Sequence, residues 1–300
     1  MTDPRIGAFA RLASGNVEPV RTIYGNISKL TRVAHGITYD PGRDEIIGSE
    51  PLAAAVVTFR GGASGQVPPL RVLQGSKTML HAPQGVVVDD VHHELIVGDN
   101  ITGYILTYPW DANGNVAPIR VIAGPRTGMA GVMDLGVDPQ RNLIVAVARH
   151  KHEGWGVQPG GGIFIFNRTA TGNVAPLRTI MGPHTGMRGG PLQVQVWNGK
   201  IFATVSNDNY QPPYDRGGFA PKPGCTGPPL PPLTMGSADA FIGVWNITDS
   251  GDQPPRFTIH GPATHMVAPA GIALNPKSGE LYVTDGGVGA AFTFLVPQAF

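Results

Sequence analysis

Three hundred residues, 41% of them hydrophobic, can bury a large core as one all-β domain or two ordinary ones. Charged side chains are only 14% and the net charge is +1, so there is neither a basic stripe for nucleic acid nor an acidic tail. No apolar run approaches the roughly 20 residues of a membrane-spanning helix, and a single cysteine, Cys225, excludes an intrachain disulfide and a multi-cysteine zinc site.

In chain order the first element is RIGAFARL (5–12), a strand-like run that lacks the basic end, apolar run and cleavage site of a signal peptide. A cytosolic protein and the mature form of an exported one both fit, with the exported form slightly favoured. Then comes the phrase GNVEPVRTI from Gly15, which returns as GQVPPLRVL from Gly65, GNVAPIRVI from Gly114, GNVAPLRTI from Gly172 and, more loosely, GDQPPRFTI from Gly251. The intervals of 50, 49, 58 and 79 residues describe a unit of about 49 with two insertions.

Each unit holds four short segments, clearest in QGVVVDD (84–90), HELIVGD (93–99), GYILTY (103–108) and APIRVI (117–122). They are β-branched or aromatic in bias and bounded by Gly, Pro, Asn or Asp, which reads as strands A to D. A four-stranded sheet cannot bury both faces alone, and stacking copies radially makes a β-propeller, here a single domain over residues 1–300. Strand D starts at Pro19 with no complete unit before it, and the last A to C strands have no D after them. The N-terminal strand is expected to close the ring against the C-terminal blade, giving five blades; RIGAFARL resembles a further strand C and keeps six blades open. In the phrase, Pro19, Pro69, Pro118, Pro176 and Pro255 and the charges of Arg21, Arg71, Arg120 and Arg178 read as protection of an exposed outer edge.

The segments HAPQGVVVDDVHHELIVGDNITGYILTY (81–108) and VAPAGIALNPKSGELYVTDGG (267–287) share a Pro-x-Gly-hydrophobic strand, a turn and a strand ending in Asp. This pattern resembles the NHL class of propeller repeats over almost the whole chain apart from the insertions. The resemblance implies the propeller fold and leaves the activity open, because the class includes interaction modules, lyases and metal-dependent enzymes.

Both insertions, 149–161 and 206–238, fall in B–C connections, which share one face of the disc with the D–A connections. Insertions on one face of a repeat array commonly mark the binding face, and that face is termed the top. The first insertion carries His150, His152 and Glu153, whose imidazole and carboxylate groups are zinc-type ligands, together with Trp155. The second is proline-rich and carries Tyr210, Tyr214 and Arg216, as a semi-rigid lid or docking arm. His81 lies in a D–A connection, and His35 starts strand A where other units have Gln84, Met133, Leu192 and Ala270.

Strand B ends on Glu50, Asp99 with Asn100, Arg149, Asn207 with Asp208, and Asp285. Carboxylates and amides at a channel mouth are hard-cation ligands, as in the calcium-dependent lactonases that resemble this architecture; the same Asp also reads as a cap on the turn that follows it. Met79, Met129, Met187 and Met266 recur where the first unit has Leu30 and read as packing between blades. Sequons at Asn26, Asn100, Asn167 and Asn246 permit glycosylation if a eukaryotic cell exports the chain.

No GxSxG, P-loop, dinucleotide fingerprint or HExxH occurs. Two expectations stand. The first is a propeller that binds a small molecule or a protein with the top face around the third and fourth blades, without nucleic acid or membrane insertion. The second is a lyase or hydrolase using a divalent metal, calcium or zinc, at the channel mouth.

Overall fold

A computed structural model describes residues 4–150, 161–187, 190–206 and 240–300, His150 by its backbone alone. β1 (Arg5–Ala8) pairs antiparallel with β2 (Arg21–Tyr24) in a two-stranded sheet. β3 (Ile37–Asp40), β4 (Glu45–Glu50), β5 (Ala55–Arg60) and β6 (Arg71–Gln74) form the next sheet. It is followed by β7 (Pro83–Asp89), β8 (Glu94–Asp99), β9 (Ile105–Pro109) and β10 (Arg120–Ile122). The third blade is β11 (Met129–Asp138), β12 (Leu143–His150), β13 (Gly161–Asn167) and β14 (Arg178–Ile180). The fourth is β15 (Pro191–Trp197), β16 (Lys200–Val205), β17 (Phe241–Asn246) and β18 (Phe257–His260), and the last is β19 (Pro269–Asn275), β20 (Glu280–Asp285) and β21 (Ala290–Leu295).

Beside the two-stranded β1–β2 sheet, five successive antiparallel sheets, four of four strands and the last of three, with strands joined in chain order, are the arrangement of a five-bladed β-propeller. The RIGA of RIGAFARL is indeed a strand C, and β2, expected to complete the last sheet, has its antiparallel partner in β1. The connections replaced by long insertions run from β12 to β13 and from β16 to β17, second to third strand in both cases.

The chain divides into two compact units, residues 1–142 with 168–175 and residues 143–167 with 176–300. In the first, β7 packs on β3 and β4, and β11 on β7 and β8. Ile47, Val56, Leu73, Val86, Val97 and Leu106 make a shared core there. In the second, β15 packs on β12 and β13, and β19 on β15 and β16, around Phe202, Ile242, Met266, Ile272 and Val283. Each fully buried aliphatic side chain contributes about 1.5–3 kcal/mol, and none of these sheets could collect that stabilisation without a neighbour. The Pro-x-Gly of strand A follows from the same stacking: a β-carbon on Gly85 would stand 2.6 Å from the Asp134 Cα of the adjoining strand.

The recurring phrase is a latch between blades. Gly65, Gly114, Gly172 and Gly251 form parallel bridges to Ile23, Leu73, Ile122 and Ile180, each on the outer strand of the preceding blade. Each glycine N–H donates to that strand (to Thr22, Val72, Val121 and Thr179 O), and its carbonyl accepts from Tyr24, Gln74, Ala123 and Met181 N–H. The next side chain then caps the 3-10 turn that follows the strand: Asn115 Oδ1 accepts from Lys77 N–H at 2.7 Å and Asn173 Oδ1 from Arg126 N–H at 2.8 Å. The outer edge is therefore closed by the following blade, a more specific device than proline and charge alone.

The phrase arginines are not free edge charges either. Arg71 binds Glu45 in bidentate fashion, Nη1 to Oε1 at 2.9 Å, and Arg120 Nη2 lies 2.6 Å from Glu94 Oε2. Arg168, 7% exposed, reaches back from the third blade to Glu94 Oε2 at 2.6 Å and to Asn142 Oδ1 at 3.0 Å. Burial pushes the Glu94 carboxyl up, and the two guanidiniums outweigh it and leave the group below its ordinary value. One packing expectation shifts by a residue: Leu80, not Met79, occupies the buried position shared by Leu30, Met129, Met187 and Met266. Met79 sits one place earlier at φ 62° and is 36% exposed.

Asn115→Ala removes one cap between blades, and its unfolding free energy is expected to fall by about 1 kcal/mol. A denaturant midpoint equal to that of the parent chain would contradict the latch. Arg168→Ala leaves buried Glu94 without one of its two guanidinium partners and is expected to cost about 3 kcal/mol, read by the same titration.

Candidate functional site

The sequence places its candidate residues at the blade end where strand B stops and strand A starts. Asp99 is fully buried and both carboxylate oxygens are committed. Oδ2 accepts from His81 and Ala82 N–H, both at 2.7 Å; Oδ1 accepts from Ile101 N–H at 3.2 Å, Thr102 N–H at 3.0 Å and Thr102 Oγ1 at 2.9 Å. Asp285 repeats the arrangement in the last sheet, with Val267 and Ala268 N–H on Oδ2 and Gly287 and Val288 N–H on Oδ1. One carboxylate thus ties the segment entering strand A to the turn leaving strand B. Calcium asks for six to eight oxygen ligands, and oxygens that already hold two N–H groups each have little left to give. For these two residues the turn-capping alternative is the one realised.

Glu50 departs from this pattern. Its Oε2 accepts from Thr31 N–H and Thr31 Oγ1, each at 2.7 Å, but Oε1 is buried with no partner among the described residues. The residue after it is Pro51, which opens a 3-10 turn, Pro51–Ala53, so the turn is built without the bracket that Asp99 makes. Glu50 is 0% exposed. Burial raises its carboxyl above the ordinary glutamate value, against the two hydrogen bonds from Thr31.

Three further buried side-chain atoms at this end lack partners among the described residues: His35 Nδ1, Gln84 Oε1 and Asn100 Oδ1. His35 donates its backbone N–H to Ser49 O at 3.1 Å, and burial holds its imidazole below the ordinary value. Ser49 joins the two inner strands: its Oγ accepts from Gly36 N–H at 2.8 Å and donates to Gln84 O at 2.6 Å. His35 and Gln84 are therefore each one bond or one residue from the same hydroxyl. Strands β7 and β19 change register just here, between Pro83 and Gly85 and between Pro269 and Gly271. Such bulges re-aim the side chain they displace, which in the second blade is Gln84. Asn100 is placed against the third blade's inner strand, since a β-carbon on Gly131 would lie 2.6 Å from its Oδ1.

The other predicted residues divide. His81 is exposed, with Nδ1 3.0 Å from Met79 O. The side chain of His150, and all of His152, Glu153, Trp155, Asn207, Asp208, Tyr210, Tyr214 and Arg216, lie outside the described residues. Among the described residues no three His, Cys, Asp or Glu side chains come together in a group that holds a metal. A cleft of about 420 Å³ at the opposite end of the first sheet, lined by Asp44, Arg60, Val67 and Leu70, includes none of the predicted site residues. Thr31, Ser49 and Arg168 did not stand out in the sequence, where a hydroxyl or an arginine at a turn carries no distinguishing pattern.

Compared with known proteins, the chain matches no family model and no curated protein sequence. Its class is read from the fold: an all-β chain with the blade arrangement of a five-bladed β-propeller.

Asp99→Asn would set an amide NH2 against backbone N–H donors, and an unfolding free energy lower by about 2–3 kcal/mol is expected. Added calcium should not restore it; restoration would reinstate the metal reading. For Glu50 the sign follows from its raised native value. The folded state holds the proton more tightly than the unfolded chain, so this group's stabilising contribution is complete below the ordinary glutamate value and is lost as pH rises through the raised one. Glu50→Gln should remove that slope from a stability–pH profile and leave the parent more pH-sensitive than the variant.

Proposed function

We propose that the chain is a ligand-binding β-propeller whose contact surface is the blade end carrying the B–C and D–A connections. The observation behind this reading is the group of buried polar atoms without partners among the described residues, His35 Nδ1, Glu50 Oε1, Gln84 Oε1 and Asn100 Oδ1, all at that end of the first two blades. Buried polar atoms in folded proteins are almost always satisfied, and four such atoms at one end call for hydrogen-bond partners. The ligand is a small molecule presenting hydroxyl or amine groups, since the two amide oxygens accept hydrogen bonds and a hydroxyl can serve the carboxyl and the imidazole nitrogen in either role. The two long B–C insertions carry Trp155, Tyr210, Tyr214 and Arg216, which lie outside the described residues. The NHL-like text of the strand A–B segments agrees with a binding role, because that class includes interaction modules.

A panel of polyols, sugars and small amines, scanned by thermal unfolding of the full chain, tests the proposal. A ligand at a hundred times its Kd stabilises by about 2.7 kcal/mol, roughly 4 °C for a chain of this size. At least one compound should reach that shift, and Gln84→Leu together with Glu50→Gln should abolish it. A panel with no active compound, or a shift unchanged in the double variant, would overturn the assignment.

A further inference from the structure

The end of each sheet opposite Glu50 is finished in the same way, except in the first. The residue after strand C donates its N–H to the left-handed residue of the A–B turn: Gly61 to Asp44 O, Trp110 to His93 O, Arg168 to Asn142 O, Ile247 to Gly199 O and Val296 to Gly279 O. Four of the five donors carry a large side chain that covers the turn or packs inward. Trp110 stacks on His93 with ring centroids 4.1 Å apart, Arg168 bonds Asn142 Oδ1, and Ile247 and Val296 are buried. Glycine at 61 has nothing to place there, and Asp44 leans into the room instead: a β-carbon on Gly61 would collide with Asp44 Oδ1.

The cleft of about 420 Å³ lies beside this turn, within the range of small-molecule sites. Two of its lining residues bring charges that the other copies lack. At the place of Arg60, the last residue of strand C, the other sheets have Pro109, Asn167, Asn246 and Leu295; at the place of Asp44 they have His93, Asn142, Gly199 and Gly279. Tyr39 Oη donates to Asp44 Oδ1 at 2.8 Å and steadies the carboxylate, while Oδ2 has no partner among the described residues, nor has the Arg60 guanidinium. The two charges therefore share one cleft without pairing to each other. Val67, Pro68 and Leu70 line the rest, and Leu70 keeps 41% of its surface exposed.

We propose that this cleft is a second binding site and that its ligand is a free α-amino acid with an apolar side chain. The ligand carboxylate lies on the Arg60 guanidinium, a fork that matches it bidentately, its ammonium group on Asp44 Oδ2, and its side chain on Val67 and Leu70. An unpaired cation, an unpaired anion and an apolar floor in one cleft complement a molecule that carries both charges and an apolar group. A residue inside a peptide has neither charge, and an amine or a carboxylic acid has only one. The site lies at the other end of the sheet from Glu50 and is independent of the ligand proposed for that end.

Titration of the full chain with L-leucine and with L-phenylalanine, followed by amide NMR, tests the proposal. The Gly62 and Ala63 amide signals should move saturably, with a Kd on the order of 1 mM. Asp44→Asn and Arg60→Gln should each weaken binding about tenfold, the loss of one charge-assisted hydrogen bond. Asn142 already holds the same turn position in the third blade, so Asp44→Asn is not expected to disturb folding. Hydrocinnamate, which lacks the ammonium group, and phenethylamine, which lacks the carboxylate, should each bind about tenfold more weakly than L-phenylalanine. No saturable movement up to about twenty times that Kd, an affinity unchanged in either variant, or analogues that bind as well as the amino acid would each overturn the proposal.

Discussion

The blades depend on how the open edge of each outer strand is closed. A strand D left alone would present a row of unpaired N–H and C=O groups to solvent and to other chains. Here one glycine from the following unit pairs with that edge in parallel, and one amide or carboxylate caps the turn beyond it. Glycine is needed because the bridge sits at φ between +72° and +83°, where a β-carbon is strained. Because the closure comes from the successor, each blade's stability is partly an interface term with its neighbour, the behaviour expected of repeat proteins.

The second recurring device works at the inner end. An Asp at the close of strand B holds two backbone N–H groups on each oxygen, one pair before strand A and one pair after strand B. A ring of such residues looks, in sequence, like a cation site. What decides between the readings is the inventory of lone pairs: the bonds that fix the turns are the ones a calcium ion would need. In the first blade glutamate stands where the second and last have aspartate, Pro51 follows it, and one oxygen has no partner among the described residues.

The strands, their order and the position of both insertions were legible because they rest on local signals, period-two alternation and Gly or Pro punctuation. The latch partners were not, since each contact joins residues about 40 to 70 positions apart and the phrase shows only one half of it. Arg71 reads as an edge charge beside Pro69, yet the pleat turns it inward to Glu45, a face that the spacing alone does not choose. Met79 misleads for a similar reason. The turn before strand A needs a left-handed residue, and Lys29, Met79, Gly128, Gly186 and His265 all serve there, which slides the apolar position by one. Spacing puts Glu50 at the end of β4, Asn100 just after β8 and His35 just before β3, but that they lack partners among the described residues depends on the surrounding backbone and cannot be read from spacing.

In a chain built from near-copies, the copies themselves separate structure from function. What recurs between units, the latch in four places and the Asp bracket and Pro-x-Gly approach in the second and last sheets, is accounted for by folding. An unsatisfied buried acceptor costs about 1–3 kcal/mol, and the second and last sheets show that an Asp satisfies this place fully. Glu50 and the neighbouring His35 and Gln84 forgo that satisfaction among the described residues. Their departure from the repeat is therefore the part of the inner end that stability does not explain, and it is where a ligand would return the missing hydrogen bonds.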